Sequence, residues 1–274
     1  MSRSSNPFNL VNLHGQGCFR GVTLALPTAQ VLRFLPAGLV LGPQQVTPPG
    51  THPVILSFNS LSRAVMSVPT LLPTLTYHEF TFGVPYSHVE PGLLGKAIGS
   101  LLGRSGGAHH GPYYYMPRLF LDSVLATVGG LLYWGYAKKL ARFKVGERRF
   151  AIDGEDGAPL IELSWDSLGT TQPPSAFGHF DAVRAMLSQP LVSQLPAALG
   201  PLFVVADFNK AWDTATLQAT TTSVRVQSEF VPGFGVGLHP AEGQAAGIDS
   251  SVLGSYELNA SWVLGMPHAP LLRP

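Results

Sequence analysis

The stretch Trp134–Phe143, WGYAKKLARF, places two adjacent lysines at the end of one of the most apolar segments of the chain. Upstream, Leu121–Ala137 reads LDSVLATVGGLLYWGYA and carries Asp122 as its one charged residue. Most lysines are solvated surface cations. Here, however, the apolar neighbours are expected to desolvate at least one amine, and desolvation lowers a lysine pKa because it disfavours the charged form. A neutral amine is a nucleophile, so this pair is the first candidate for a functional site.

The overall composition favours a large apolar interior. Charged residues make up 12% of the 274 residues, against roughly 25% in ordinary domains, and the mean hydropathy is +0.20. A chain of this length buries about three quarters of its unfolded surface. The apolar surplus therefore indicates a large core, a buried subunit interface, or both, and we expect a homo-oligomer. The net charge is +1, with no basic run, which excludes the electrostatic footprint of a nucleic-acid-binding protein.

Targeting signals and metal ligands are not apparent in the sequence. Cys18 is the single cysteine, and the first ten residues lack the apolar core of a signal peptide, so we expect a cytoplasmic protein. The longest uncharged apolar stretch, Ala185–Ala206, contains three prolines and two glutamines, so no membrane span is expected. His109 and His110 have no carboxylate or cysteine set near them, and we expect neither a metal nor another cofactor.

Short apolar runs separated by glycine and proline predict a mainly β protein of the α+β kind. The 30 glycines and 24 prolines punctuate segments that alternate apolar and polar residues, as half-buried antiparallel strands do. Helices are predicted over 28–35 and 179–189. The predicted strands cover 53–61, 76–84, 118–126, 148–154, 159–167, 216–230 and 255–265. We find no repeat or linker and predict a single domain, 1–274, with an inserted glycine-rich helical loop at about 88–112.

The lysine segment resembles the acetoacetate decarboxylase family, in which an apolar strand and turn lead into aromatic-Pro-Lys-Lys-Leu-Gly/Ala. The corresponding residues here run from Tyr136 to Ala141. YHEFTFGV (77–84) is similar to the glutamate-bearing strand of the family, and GPYYYMPRLFLDSVLATVGG (111–130) is similar to its following hairpin. CFRGVTLALPTAQVLRFLPAGL (18–39) resembles the segment with the active-site arginine. The resemblance implies one antiparallel, conical, β-barrel-like domain with a few peripheral helices.

The resemblance also implies the catalytic residues. Lys138 corresponds to the lysine that forms a Schiff base with a keto acid, a family mechanism in which desolvation or a neighbouring cation activates the amine. Glu79 corresponds to the first active-site glutamate, Arg20 to the arginine, and Glu90 to the second glutamate. The arginine is expected to meet the acidic groups, and a glutamate to move protons to the enamine after carbon dioxide leaves.

Two further residues are predicted to bind substrate. Tyr136 lies two residues before the first lysine and is expected in the pocket wall, and Lys139 is expected beside the reactive amine. An unperturbed lysine, with a pKa near 10.4, has under about 0.1% of its amine free at pH 7. A pKa lower by about three units makes roughly half of it reactive, so an apolar pocket suits this chemistry.

The segment before the lysines departs from the family pattern. The Gly-Arg-Glu of the family reads Gly130, Leu131 and Leu132 here, and the proline before the first lysine is Ala137. Loss of the two charges removes ion pairs or adapts the pocket to a more apolar substrate. Three functions therefore stay open: a cofactor-free β-keto acid decarboxylase, a Schiff-base aldolase or dehydratase acting on another keto acid, and a non-catalytic barrel that binds an apolar ligand.

Overall fold

The computed structural model describes residues 12–67, 73–90, 110–154, 159–194, 203–226, 244–245, 248–249 and 253–268. Strands dominate these ranges. In chain order they are β1 (Asn12–Pro27), β2 (Leu39–Leu41), β3 (Thr51–Met66), β4 (Leu75–Val89), β5 (His110–Leu121), β6 (Lys138–Leu140), β7 (Arg142–Val145), β8 (Arg149–Asp153), β9 (Pro159–Gln172), β10 (Leu191–Gln194), β11 (Phe203–Ala206), β12 (Phe208–Lys210), β13 (Thr216–Val226), β14 (Gln244–Ala245), β15 (Ile248–Asp249) and β16 (Ser255–Gly265).

The described strands form one large mixed sheet. Its main path runs β11-β10-β5-β4-β3-β1-β16-β13-β9-β8-β7, with β2, β6, β12 and β15 paired at its sides. Most pairings are antiparallel, as expected, but β5 is parallel to both β10 and β6. The path does not return to its first strand. The mainly β architecture is therefore confirmed, whereas the closed, barrel-like arrangement is not.

The long central strands divide their side chains between two apolar layers, because successive residues of a strand point to opposite faces. On one face, Phe58 of β3 and Phe80 of β4 pack with Phe150 in the first core cluster. On the other face, Tyr77 of β4 and Tyr256 of β16 belong to a second cluster. The second layer includes the cavity described below.

A helix that the sequence analysis did not predict covers this second layer. The segment 118–126 was predicted to be a strand, but β5 ends at Leu121 and helix α2 runs from Val124 to Trp134. The Ser123 hydroxyl caps its first turn by accepting a hydrogen bond from the backbone N–H of Ala126 at 3.3 Å. Gly135, with φ of 65°, ends it in the left-handed conformation that glycine adopts without strain. The chain then enters β6.

The two predicted helices are confirmed. Helix α1 (Thr28–Val31) continues into a 3₁₀ turn, and α3 (Phe180–Leu187) lies before β10. The predicted insertion at 88–112 lies mostly outside the described residues. None of the helices in the described part of the chain has the length and apolar character needed to cross a membrane.

Candidate active site

A cavity lies between α2 and the sheet. Its walls are mainly apolar and aromatic, and its open space is about 130 Å³. An apolar cavity of roughly 150 Å³ holds a benzene molecule, so there is room for a small organic compound. The polar side chains among its lining residues are Ser57, Asn59, Glu79, Thr81, Lys138 and Lys210 together with the tyrosines.

Strand pairing brings Lys138 and Glu79 together. β5 lies between β4 and β6, and its Leu121 is opposite Glu79 while its Leu119 is opposite Lys138. Leu119 and Leu121 are two residues apart and therefore share a face of the sheet. The two functional side chains consequently project to the same side, and both line the cavity.

The Lys138 amine is in the environment that the sequence predicted. Its Nζ donates a hydrogen bond of 3.4 Å to the backbone carbonyl of Ala126 and lies 6.0 Å from the centroid of the Tyr136 ring. Burial lowers the pKa of Lys138, and the negative charge of Glu79 opposes this effect in part. A larger fraction of this amine is therefore neutral, and nucleophilic, than in a solvated lysine.

Gly130 of α2 makes room for this lysine. A Cβ atom at Gly130 would lie 2.2 Å from Cε and 2.7 Å from Nζ of Lys138, far inside van der Waals contact. The helix therefore approaches the lysine closely only because this position has no side chain. The neighbouring Leu131 and Leu132 are exposed on α2.

Glu79 is held by a short chain of hydrogen bonds. The Asn59 amide donates to Oε1 of Glu79 at 3.1 Å, and the Ser57 hydroxyl donates to Oδ1 of Asn59 at 2.5 Å. Burial raises the pKa of Glu79, while Lys138, the Asn59 hydrogen bond and Lys210 lower it. The carboxyl group therefore holds its proton to a higher pH than a solvated glutamate does, which favours a role as a general acid.

Tyr136 lies in the cavity wall, as predicted. It is 5% exposed, and its hydroxyl has no hydrogen-bond partner among the described residues. Burial, and secondly the charge of Glu79, raises its pKa, which keeps the phenol protonated. A buried hydroxyl without a partner is costly to the fold, and this one is a candidate donor to a substrate oxygen.

Arg20 is not in the cavity. It follows Phe19, which lines the cavity, and so its own side chain points to the opposite face of β1. There its Nε donates to Oε2 of Glu257 at 2.9 Å, and its guanidinium stacks 4.6 Å from the Trp165 ring centroid. The geometry gives Arg20 an ion pair and cation–π packing instead of a position beside the reactive amine.

Glu90 and Lys139 also lie outside the cavity. Glu90 follows the end of β4 as an exposed residue, and its backbone N–H donates to the carbonyl of Gly38 at 2.8 Å. Lys139 alternates with Lys138 along β6 and is exposed on the other side of the strand. Of the six predicted site residues, the structure thus brings together Lys138, Glu79 and Tyr136.

Lys210 is the cavity residue that sequence reasoning missed. It is 8% exposed, lies at the end of β12 and pairs across the sheet with Trp262 of β16. Burial lowers its pKa to about 7, against the opposing effect of Glu79. The signal available in the sequence is its position in FVVADFNKAW (203–212), where a lysine interrupts a run of apolar and aromatic residues. Within the described ranges, no group of three or more His, Cys, Asp or Glu side chains is placed to hold a metal ion.

Known structures share this fold. The acetoacetate decarboxylase of Legionella pneumophila superposes with a TM-score of 0.58 at 13% identity, covering 98% of this chain and 91% of that one. The enduracididine biosynthesis enzyme MppR, complexed with pyruvate, gives 0.56 at 16% identity, covering 94% and 90%. An acetoacetate decarboxylase-like enzyme from Sphingomonas wittichii RW1 gives 0.57 at 12% identity, covering 95% and 93%. No protein-family model matches the sequence, and no similar sequence was found among curated proteins. The chain therefore has the fold of acetoacetate decarboxylase and related enzymes.

Proposed function

We propose that the protein is a Schiff-base enzyme acting on a small keto acid, and that it decarboxylates a β-keto acid. One observation carries the proposal: the amine of Lys138 lies in an apolar cavity that Glu79 also lines, and burial lowers its pKa. A desolvated lysine is activated for addition to carbonyl groups. The enzymes with the same fold support a reaction of this class.

The proposed reaction uses Lys138 as an electron sink. The neutral Nζ adds to the carbonyl carbon, and loss of water gives an iminium ion. The bond between the α-carbon and the carboxylate then breaks, its electron pair moves toward the iminium nitrogen, and carbon dioxide leaves behind an enamine. Glu79, in its acid form, transfers a proton to the enamine carbon. Hydrolysis releases the ketone and the free amine, so one keto acid anion and one proton give one ketone and one carbon dioxide.

The cavity walls favour a compact, apolar substrate. Phe19, Tyr77 and Trp262 are among the aromatic residues that line it. Such walls exclude water, and this strengthens electrostatic interactions inside the site and weakens the solvation of a substrate carboxylate. We therefore propose a substrate whose organic group is at least as apolar as that of acetoacetate.

The test is reductive trapping. The protein is incubated with β-keto and α-keto acids in the presence of cyanoborohydride, carbon dioxide is monitored, and the modified peptide is identified by mass. We expect a reduced adduct on Lys138 and carbon dioxide from a β-keto acid. Lys138→Ala abolishes the adduct, whereas Lys139→Ala, the matched change at the exposed neighbour, retains it. If no keto acid modifies Lys138, the Schiff-base proposal fails and a binding function takes its place.

A second candidate is aldol-type addition or dehydration through the same lysine. Solved structures of MppR, which shares the fold, contain pyruvate and a condensation product of pyruvate and imidazole 4-carboxaldehyde. These complexes favour retention of the carboxylate. The two candidates separate in the trapping experiment, because an aldolase or dehydratase gives the Lys138 adduct without carbon dioxide.

We also propose that the protein self-associates through the outer face of α2. Four large apolar side chains of this helix that do not line the cavity are between 47% and 74% exposed: Val124, Val128, Leu131 and Leu132. An apolar surface of this kind marks an interaction site more often than a free surface. Light scattering should give a mass above that of one chain, with Leu132→Glu shifting it toward the monomer. A monomeric wild type at micromolar concentration would contradict the proposal.

A further inference from the structure

Lys210 is a second buried amine in the cavity, and the reaction proposed above does not use it. Its Nζ donates a hydrogen bond of 3.2 Å to the carbonyl of Leu187. Among the described residues, no carboxylate forms an ion pair with it, although Glu79 acts on it at longer range. A buried lysine that lacks a direct carboxylate partner is able to receive an anionic ligand.

Several contacts of Lys210 stabilise its charged form and oppose in part the burial that lowers its pKa. The Nζ atom lies 4.2 Å from the ring centroid of Phe208 and 5.3 Å from that of Phe19, and aromatic faces attract cations. Leu187 is the last residue of α3, and the carbonyl end of a helix also attracts a positive charge. A bound carboxylate adds a negative charge at close range and raises the pKa of a lysine. With a pKa of about 7, the Lys210 amine is a mixture of neutral and charged forms near pH 7 in the empty cavity, and it becomes charged when an anion binds.

The two cavity lysines differ in these contacts. Lys138 has the carbonyl of Ala126 at 3.4 Å and the Tyr136 ring at 6.0 Å, both more distant than the corresponding partners of Lys210. Fewer close partners stabilise an ammonium ion at Lys138. Burial lowers the pKa of both amines, and these contacts make Lys210 the one better placed to become a cation when an anion binds.

We propose that Lys210 binds the carboxylate of the keto acid and makes the site selective for acids over neutral ketones. This inference rests on the proposed Schiff-base function and names the group that positions the substrate. The charges in the site support it. A cationic Lys210 gives the carboxylate a partner of opposite charge, and Glu79 in its acid form adds no negative charge that would repel it. Arg20, on the far face of β1, is not placed for this role.

The expected effect of Lys210 is on binding more than on turnover. A charged hydrogen bond that is already made in the ground state lowers KM without raising kcat. Loss of such a contact weakens binding by about 10- to 100-fold. If the bound carboxylate is the one that leaves, kcat is unchanged or higher in the variant, because the contact is weaker in the transition state.

The experiment compares acetoacetate with its uncharged methyl ester. Lys210→Met replaces the amine with an apolar side chain of similar length, and Lys139→Met removes one exposed positive charge as the matched control. Binding is followed by the fluorescence of Trp134 and Trp262 in the cavity wall, and adduct formation by cyanoborohydride trapping at Lys138. We expect Lys210→Met to raise the half-saturating concentration of acetoacetate 10- to 100-fold and to change that of the ester less than about 3-fold.

The outcomes separate this inference from the proposed function. Equal weakening of acid and ester, or no weakening of the acid, overturns the role of Lys210. If acetoacetate binds through Lys210 but neither acetoacetate nor its ester forms an adduct with Lys138, the carboxylate-binding role of Lys210 is supported and the Schiff-base function is refuted. Absence of acetoacetate binding to the wild type overturns the inference directly. The Lys139→Met protein should bind acetoacetate and its methyl ester with the same half-saturating concentrations as the wild type.

Discussion

Substitution of Gly130 by alanine is expected to disable Lys138 while leaving the fold intact. An added Cβ would lie 2.2 Å from Cε, 2.4 Å from Cδ and 2.7 Å from Nζ of Lys138. Carbon atoms in contact are about 3.5 to 4.0 Å apart, so the end of the lysine must move by more than about 1 Å. The side chain is flexible, which makes the movement cheap for the fold. For the reaction it is costly, because a misplacement of about 1 Å can slow catalysis roughly 100-fold.

The neighbouring glycine supplies the control. Apart from its chain neighbours and the backbone of its own helix, a Cβ at Gly129 meets no atom within 4 Å, so Gly129→Ala adds the same methyl group to the same helix without touching the lysine. Alanine is more stable than glycine inside a helix by roughly 0.5 to 1 kcal/mol. Gly129→Ala should therefore raise the melting temperature by about 1 to 4 °C and keep the wild-type rate of adduct formation.

The assay is the rate of cyanoborohydride trapping by each variant at a saturating keto acid concentration, together with thermal unfolding. We expect Gly130→Ala to unfold at or slightly above the wild-type temperature and to trap roughly 100-fold more slowly. The reasoning is refuted if Gly130→Ala traps at the wild-type rate, or if both alanine variants slow equally. The first result means that Lys138 tolerates displacement, and the second means that the helix itself matters more than the contact.

Two further predictions concern Glu79 and Lys210, titratable groups that line the cavity with Lys138. Glu79→Gln should retain the Lys138 adduct but slow turnover by about 10² to 10⁴-fold, because the amide cannot deliver a proton. Comparison of the rate of trapping with the rate of product release checks this prediction. Loss of both trapping and product release would point to a structural role for Glu79. Lys210 has its folded-state pKa lowered from 10.5 to about 7, so between those values the unfolded chain holds a proton that the folded chain has released. The free energy of unfolding should therefore rise with pH across that window, by at most about 1.4 kcal/mol per pH unit from this group. Urea denaturation at pH 7 and 9 should show that Lys210→Met loses this part of the slope, and an unchanged slope would contradict the lowered pKa.

The sequence predicted the strands better than the apolar helix. The segments 53–61, 76–84 and 255–265 lie in strands β3, β4 and β16. Burial alternates along β16, whereas the centres of β3 and β4 are buried on both faces and are marked by short apolar runs rich in β-branched and aromatic residues. Helix α2 was missed because Gly129 and Gly130 are poor helix formers and because Leu121–Ala126 has no helical polar face. Its caps and its close packing against Lys138 stabilise it, and such tertiary contacts do not appear in a local pattern.

The candidate site was predictable only in part, for a geometric reason. Lys138 and Glu79 were located by their motifs, and the pairing of β4, β5 and β6 brings them together. Arg20 was assigned to the site although it is on the opposite face of its strand, and a motif match does not specify the face. The apolar and aromatic neighbours of Lys210 in the sequence mark it as unusual, but they do not show that the pairing of β12 with β16, a long-range contact, brings it to the cavity.

The most direct test of the account is the titration of the Lys138 amine itself. Nitrogen-15 NMR of lysine Nζ resonances, with the Lys138 signal assigned by its loss in Lys138→Met, gives the pKa of this group in the intact protein. We expect a pKa clearly below the ordinary lysine value of about 10.4, because burial disfavours the ammonium form more than Glu79 favours it. A Lys138 amine that titrates at or above that ordinary value would contradict the central claim that the cavity supplies a neutral nucleophile.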